Sequence, residues 1–164
     1  FPTRRSSDLE AWQLEGKYRQ DPTYARTNGK RIGRDGCRVP LPWEADATAS
    51  NGFNTTGESW LPQPPNYRAF SRNLQDGVAG STLELYKRLL KERRAFGMGA
   101  GEFRWAEEFQ DKNTLAYINN GVLVLFNFGP DAVVVPAGEV LVTTQHDLTA
   151  ERELERDQVV WIKL

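Results

Sequence analysis

Few residues in this chain have chemistry to offer, and most of them sit in one twelve-residue stretch, GRDGCRVPLPWE at 33–44. It packs two arginines, an aspartate, the chain's single cysteine, two prolines, a tryptophan and a glutamate into one segment. An arginine is always charged and presents its donors in a rigid planar fork, so it can hold a carboxylate and paired hydroxyls in fixed geometry. Pro40 and Pro42 fix the local φ and lower the entropy lost in ordering the segment. The other reactive residues stand alone. His146 is the single histidine, so a histidine metal cluster cannot form, and beside Asp147 it reads as a solvated loop residue. Cys37 has no Cys or His partner at metal spacing and reads as a buried structural thiol. Gly97, Gly99 and Gly101 do not follow a strand and open a helix, which argues against a phosphate-binding loop. Asn54-Thr55-Thr56 fits the glycosylation pattern, which means nothing in a cytoplasmic chain. Neither a metal nor a cofactor is expected.

Three kinds of segment must position these residues. From Glu10 to about Pro65 the chain is punctuated by Asp21-Pro22, Asn28-Gly29, Asn51-Gly52 and prolines at 40, 42, 62, 64 and 65. Trp12, Tyr18, Tyr24, Trp43, Phe53 and Trp60 accompany them, and aromatics can bury surface, so the segment reads as a long, ordered, functional loop. Two helices follow. Asn66 can cap a short one carrying Tyr67, Phe70 and Leu74, ended by Asp76-Gly77. STLE at 81–84 is a capping box that opens a helix over 82–96, with Leu85, Tyr86, Leu89 and Leu90 in phase, Glu84 paired to Arg88, and Gly97 at its stop. Its apolar stripe calls for a larger body that is not obvious in this chain. Beyond Gly101 the period changes to two. Strands are expected at 102–106, 114–118, 122–128, 132–136, 139–143 and 158–163, with turns at Asn120-Gly121 and at GPD, 129–131. Short strands without intervening helices predict a small antiparallel sandwich, so the fold class is α+β. The charged run AERELERDQ at 150–158 reads as a solvated hairpin or loop.

Bulk properties exclude several functions. At 164 residues and 39% apolar, the chain suffices for one ordinary domain, or for a small domain plus pieces of another. Its 21 basic and 22 acidic residues nearly cancel, leaving no electrostatic footprint for nucleic acid or an anionic membrane. No apolar run approaches the roughly 20 residues that span a bilayer. One cysteine cannot form an internal disulfide, and a reducing cytoplasmic setting fits. The opening FPTRRSSDL has no periodicity, cap or turn logic. It reads back into codons resembling a widely used sequencing adapter, so residues 1–9 are treated as an assembly scar and the true N-terminus as missing.

The central stretch, preceded by YRQDPTYARTNG and followed by GFNTTGESWLPQPPNY, resembles the segment after the eighth strand in α-glucosidases of glycoside hydrolase family 13, the α-amylase family. STLELYKRLLKERR resembles the eighth helix of that family's (β/α)₈ barrel, and the strands after Gly101 resemble its C-terminal β-sandwich. The resemblance covers about residues 10–164. It implies that 10–97 form the end of the catalytic barrel and 98–164 the sandwich domain. It also implies that the nucleophile, the acid and a third, stabilising aspartate lie upstream of residue 10, which would leave this chain inactive alone. Arg38 would line the pocket for the terminal non-reducing glucose of an α-linked gluco-oligosaccharide, paired with an aspartate from an earlier barrel loop. Alternatively, Arg38 is a structural salt bridge that clamps the loop. Arg34 and Asp35 would fasten the loop to the barrel. Trp43, Phe53 and Trp60 either stack on sugar in neighbouring subsites or, the favoured reading, pack under the loop. Two other functions remain open: a non-catalytic sugar-binding or scaffolding β-sandwich, and a fragment of a transglycosylating relative such as a trehalose synthase.

Overall fold

A computed structural model describes residues 14–47, 50–145, 148 and 152–164. The adapter-like residues 1–9, Trp12, His146 and Asp147 lie outside the described residues. The chain divides into two compact units, one ending at Asp76 and the other beginning at Gly77.

The first unit is built from turns. Asp21 caps the short helix α1 (Pro22–Arg26), its side chain accepting from the Thr23 amide at 2.8 Å, with Pro22 at the first helical position where no donor is needed. The helix expected from Asn66 forms as two 3₁₀ turns, Pro65–Phe70 and Arg72–Leu74, because Ser71 between them is extended (ψ 142°). Polar ties close the long loop. The amides of Trp43 and Glu44 donate to the Asn51 carbonyl (2.7 and 2.9 Å), the Asn73 amide donates to the Trp43 carbonyl (3.0 Å), and Gln63 Nε2 donates to the Pro40 carbonyl (3.0 Å). Among the described residues, the buried apolar side chains of this unit are Val39, Ala45 and Leu61. Hydrogen bonding therefore carries much of its order.

The second unit opens with α2 (Thr82–Ala95), and the Ser81 hydroxyl accepts from the Glu84 amide at 3.2 Å, as the capping pattern requires. The Glu84 carboxylate accepts from the Gly77 amide (2.9 Å) and pairs with Lys87, one turn on (2.6 Å). Seven strands follow: β1 (Phe103–Trp105), β2 (Thr114–Asn119), β3 (Val122–Asn127), β4 (Val133–Val134), β5 (Glu139–Thr143), β6 (Glu153–Leu154) and β7 (Gln158–Lys163). Five form one antiparallel sheet in the order β1-β2-β3-β7-β5, and β4 pairs with β6. All six expected strands are present. The seventh, β6, hides inside the charged run read as a loop, where Leu154 is fully buried between charged neighbours. Asn120 and Gly121 take the positive φ values (49° and 79°) that a tight hairpin needs.

The central strand β3 is covered on both faces, which is why it reads VLVLF without a polar alternate. Leu123 and Leu125 join Ala106, Ala116, Val135, Leu154, Val160 and Ile162 on one side. Val122 and Val124 join Met98, Leu141 and Val142 on the other, where Leu85 and Leu89 of α2 pack against them. The helix thus buries one apolar face on this sheet, a body the sequence did not reveal. Its Tyr86 and Leu90 remain exposed.

Asn127 is fully buried and fully used. Its Nδ2 donates to the carbonyls of Asp131 (2.8 Å) and Leu154 (2.9 Å), and its Oδ1 accepts from the Gly129 amide (2.9 Å). Asn127→Leu strands all three backbone groups and should lower unfolding free energy by about 2–3 kcal/mol, read from the urea midpoint. A loss under about 0.5 kcal/mol would show that these groups find other partners.

Candidate functional site

The motif at 33–44 folds around a 3₁₀ turn, Asp35–Arg38. Gly33 leads into it with φ +84°, and a Cβ at Gly33 would lie 2.7 Å from Asp21 Cβ and Cγ. Only glycine lets the chain pass Asp21 this closely. Asp35 is fully buried, and its carboxylate accepts from the amides of Gln20 (3.2 Å) and Asp21 (3.0 and 3.1 Å). The Asp21 carboxylate accepts from the Thr23 amide, from the Arg34 amide (3.0 Å) and from Arg38 Nη1 (3.1 Å). Arg38 Nη1 also stands 3.7 Å from Asp35 Oδ1. Two carboxylates and one guanidinium, Asp35 and Arg38 from one turn and Asp21 from the cap of α1, thus form a single clamp.

The Thr23 amide, then the Thr23 hydroxyl, the Arg34 amide and the Arg38 guanidinium hold the Asp21 carboxyl well below the usual carboxylate range, against the opposing effect of burial. Asp21 is therefore ionised at neutral pH and cannot deliver a proton. Asp35 is sealed from solvent with its oxygens turned to backbone amides. Neither acid suits acid–base or nucleophilic chemistry, which needs a carboxyl group that can reach a substrate. The clamp presents Arg38 instead, with 40% of its side chain open to solvent.

Arg34 contributes its backbone amide, and Asp35 finds its partners in the amides of residues 20 and 21 rather than in an Arg34 pair. Asp21 was legible only as a turn residue before Pro22. The signal for more was the Asp-Pro pair opening a helix, which marks a cap. Cys37 is exposed, correcting the expectation of a buried thiol. Trp43 and Phe53 are exposed as well, and Trp60 is 69% exposed, so these rings are not packed beneath the loop among the described residues. Trp60 shares an open groove of about 720 Å³ with Tyr18, Asn51, Glu58, Gln63 and Arg68, within the size range of small-ligand clefts. Among the described residues there is no metal-competent cluster of His, Cys, Asp or Glu. No described helix is long and apolar enough to cross a membrane.

The α-amylase catalytic-domain model matches residues 9–98, a span that contains the whole clamp and α2. The chain belongs to the α-amylase family. Among similar sequences, the salivary α-glucosidase of Aedes aegypti is 29% identical over 123 residues, covering 70% of this chain and 21% of that protein. The glucan 1,6-α-glucosidase of Streptococcus dysgalactiae subsp. equisimilis is 36% identical over 67 residues, 40% of this chain and 12% of that one. The isomaltulose synthase PalI of Klebsiella sp. LX3 has a similar fold, with a TM-score of 0.65 at 24% identity, over 87% of this chain and 29% of its own. This α-amylase-family chain thus spans about a fifth or less of the curated relatives it matches, and is a fragment of a family 13 barrel protein.

Two substitutions probe the clamp. Asp35→Ala leaves the amides of Gln20 and Asp21 without their buried acceptor and should cost about 2–3 kcal/mol, measured by denaturant unfolding of the first unit. The second test is in pH. Because the folded-state pKa of Asp21 is depressed, its stabilisation is present above the ordinary carboxylate pKa of about 4 and is lost as pH falls through the folded value. Protection factors at Thr23 and Arg34, taken with the intrinsic exchange rate divided out, should fall below about pH 4 in the native chain, and Asp21→Asn should remove that dependence. Protection factors that are flat with pH in the native chain would contradict the assignment.

Proposed function

We propose that the protein containing this chain is a retaining α-glucosidase that releases terminal, non-reducing α-linked glucose from maltose-like oligosaccharides, and that Arg38 binds its substrate. The observation that carries this reading is the clamp itself. Asp21 and Asp35 spend their acceptors on five amide contacts and on a single guanidinium nitrogen, Nη1. That leaves a fork held in place, with an open approach for adjacent sugar hydroxyls. In the intact protein, such a fixed charged donor set at the closed end of a pocket would favour the end of a glucan over its middle. Family membership and relatives named for α-glucosidase and 1,6-α-glucosidase action support the same substrate class. Trp60, the most exposed ring among the described residues of the first unit, is the candidate for stacking on a neighbouring sugar.

Retention requires a nucleophile and an acid about 5 Å apart across the scissile bond. Asp21 and Asp35 cannot fill these roles, and a barrel takes about 250 residues with parallel strands. Every strand pairing among the described residues is antiparallel. The chemistry therefore belongs to the rest of the protein, and this chain alone is inactive. On 4-nitrophenyl α-glucoside, the isolated chain should give no hydrolysis above blank, and measurable turnover would contradict that. In the intact enzyme, Arg38→Ala should lower kcat/KM for maltose about 100-fold, roughly 2.7 kcal/mol. Arg38→Lys should not restore it, since an ammonium lacks the fork. An unchanged kcat/KM removes Arg38 from the pocket. Rearranged disaccharides in place of free glucose would make the enzyme a transferase.

A further inference from the structure

The carboxylate clamp holds Arg38 by one atom. Its Nη1 meets Asp21 at 3.1 Å and stands 3.7 Å from Asp35, so the rest of the fork can swing about that anchor unless the backbone end of the side chain is held as well. On the leading side of the turn Asp35–Arg38, the buried Asp35 carboxylate and the tight passage at Gly33 do this. On the trailing side stand Val39, Pro40, Leu41 and Pro42. Proline has no N–H, so the backbone at 40 and 42 can be tied only through its carbonyls. The Pro42 carbonyl accepts from the Arg72 amide at 3.3 Å. The Pro40 carbonyl, two residues from Arg38, accepts from Gln63 Nε2 at 3.0 Å.

We infer that Gln63 is a positioning residue for Arg38: through Pro40 it fixes the trailing end of the turn that carries the guanidinium. Both ends of its carboxamide are used. A carbonyl only accepts, so Gln63 must turn its NH₂ to Pro40, which leaves Oε1 to accept from Asn51 Nδ2 at 3.1 Å. Asn51 anchors the next stretch, its own carbonyl accepting from the amides of Trp43 and Glu44. Gln63 thus grips Pro40 directly and residues 43–44 by way of Asn51. Ser50 and Asn51 both sit at φ 45°, a left-handed conformation that non-glycine residues keep only where their surroundings impose it. The mount of Gln63 is rigid. It lies in the run Pro62-Gln63-Pro64-Pro65, where a residue before proline is confined to extended backbone. Pro64 is itself extended (φ −58°, ψ 144°), and Leu61, next to the run, is fully buried. Close packing does not stand in for the bond to Pro40. A cleft of about 260 Å³ is lined by Gly36 and Val39 from the Arg38 stretch and by residues 62–65, so side chains do not fill the space behind the turn there.

This role rests on Arg38 binding the substrate, and one set of variants separates the two. In the intact enzyme, kcat/KM for maltose and the thermal midpoint are measured for Gln63→Glu, Gln63→Met and Gln63→Lys, each in the native and the Arg38→Ala background. Gln63→Glu keeps an acceptor for Asn51 but has no donor for Pro40, and Gln63→Met loses both bonds without adding charge. Each should lower kcat/KM about tenfold in the native background, since small misplacements of a binding group are costly. The midpoint should move by no more than about 2 °C. With Arg38→Ala the same changes should cost less than about twofold, because no guanidinium is left to misplace. Gln63→Lys keeps a donor for Pro40 and should retain at least about half of the native kcat/KM. Native kcat/KM in Arg38→Ala itself would remove the glucose contact, and the role of Gln63 with it. With the Arg38 effect intact, native kcat/KM in Gln63→Glu and Gln63→Met, or equal losses in both backgrounds, would overturn the role of Gln63 alone. Variants that unfold would make Gln63 a structural brace and overturn it as well. So would a Gln63→Lys enzyme as poor as Gln63→Glu, which would move the effect from Pro40 to Asn51.

Discussion

Asp35 has no access to solvent, and a buried carboxylate without partners is among the costliest features a fold can carry. The first unit is arranged to meet that constraint. The amides of Gln20 and Asp21 must turn toward it, which sets the entry to α1. That entry makes Asp21 a cap, and the Asp21 side chain then reaches the Arg34 amide and Arg38. Gly33 follows, because no side chain fits between that cap and the turn. With little apolar burial available, charge and hydrogen bonding shape this unit.

The second unit rests on different physics. Its central strand, β3, is apolar on both faces, and α2 with one face of the sheet and β4–β6 with the other account for that. Polar groups act there as fasteners. Asn127 holds the turn after β3 to β6, and Asn119 and Asn120 hold the glycine-rich link after α2, through bonds to the Gly99 amide and the Phe96 carbonyl. The glycines at 97, 99 and 101 serve as this link. The Cβ that Gly101 lacks would collide with Asn120.

What the sequence showed and what it hid follow from the range of the forces involved. Strands with a period of two, an Asn-Gly hairpin and a serine cap are local signals, and each was legible. The cover over Leu85 and Leu89 was not, because the periodicity of a helix says which face is apolar and nothing about what meets it. Leu154 was masked by its charged neighbours, since a strand of two residues with one of them buried leaves no period to read. In the site, Arg38 stood out through its prolines and its aromatic company. Asp21, its partner, looked like an ordinary turn residue, because a pairing across 17 positions leaves no trace in spacing. Trp43 and Phe53 were expected beneath the loop, but covering them would take surface that these residues do not include.

The central claim is that Asp21 and Asp35 hold Arg38 in position for a terminal glucose. A crystal structure of the intact enzyme with maltose bound, its nucleophile replaced, tests this most directly. The Arg38 guanidinium should lie within about 3 Å of two hydroxyls of the non-reducing glucose, with the Asp21 and Asp35 contacts unchanged. A terminal glucose with Arg38 more than about 6 Å away, or an Arg38 that leaves Asp21 to reach the sugar, would contradict it.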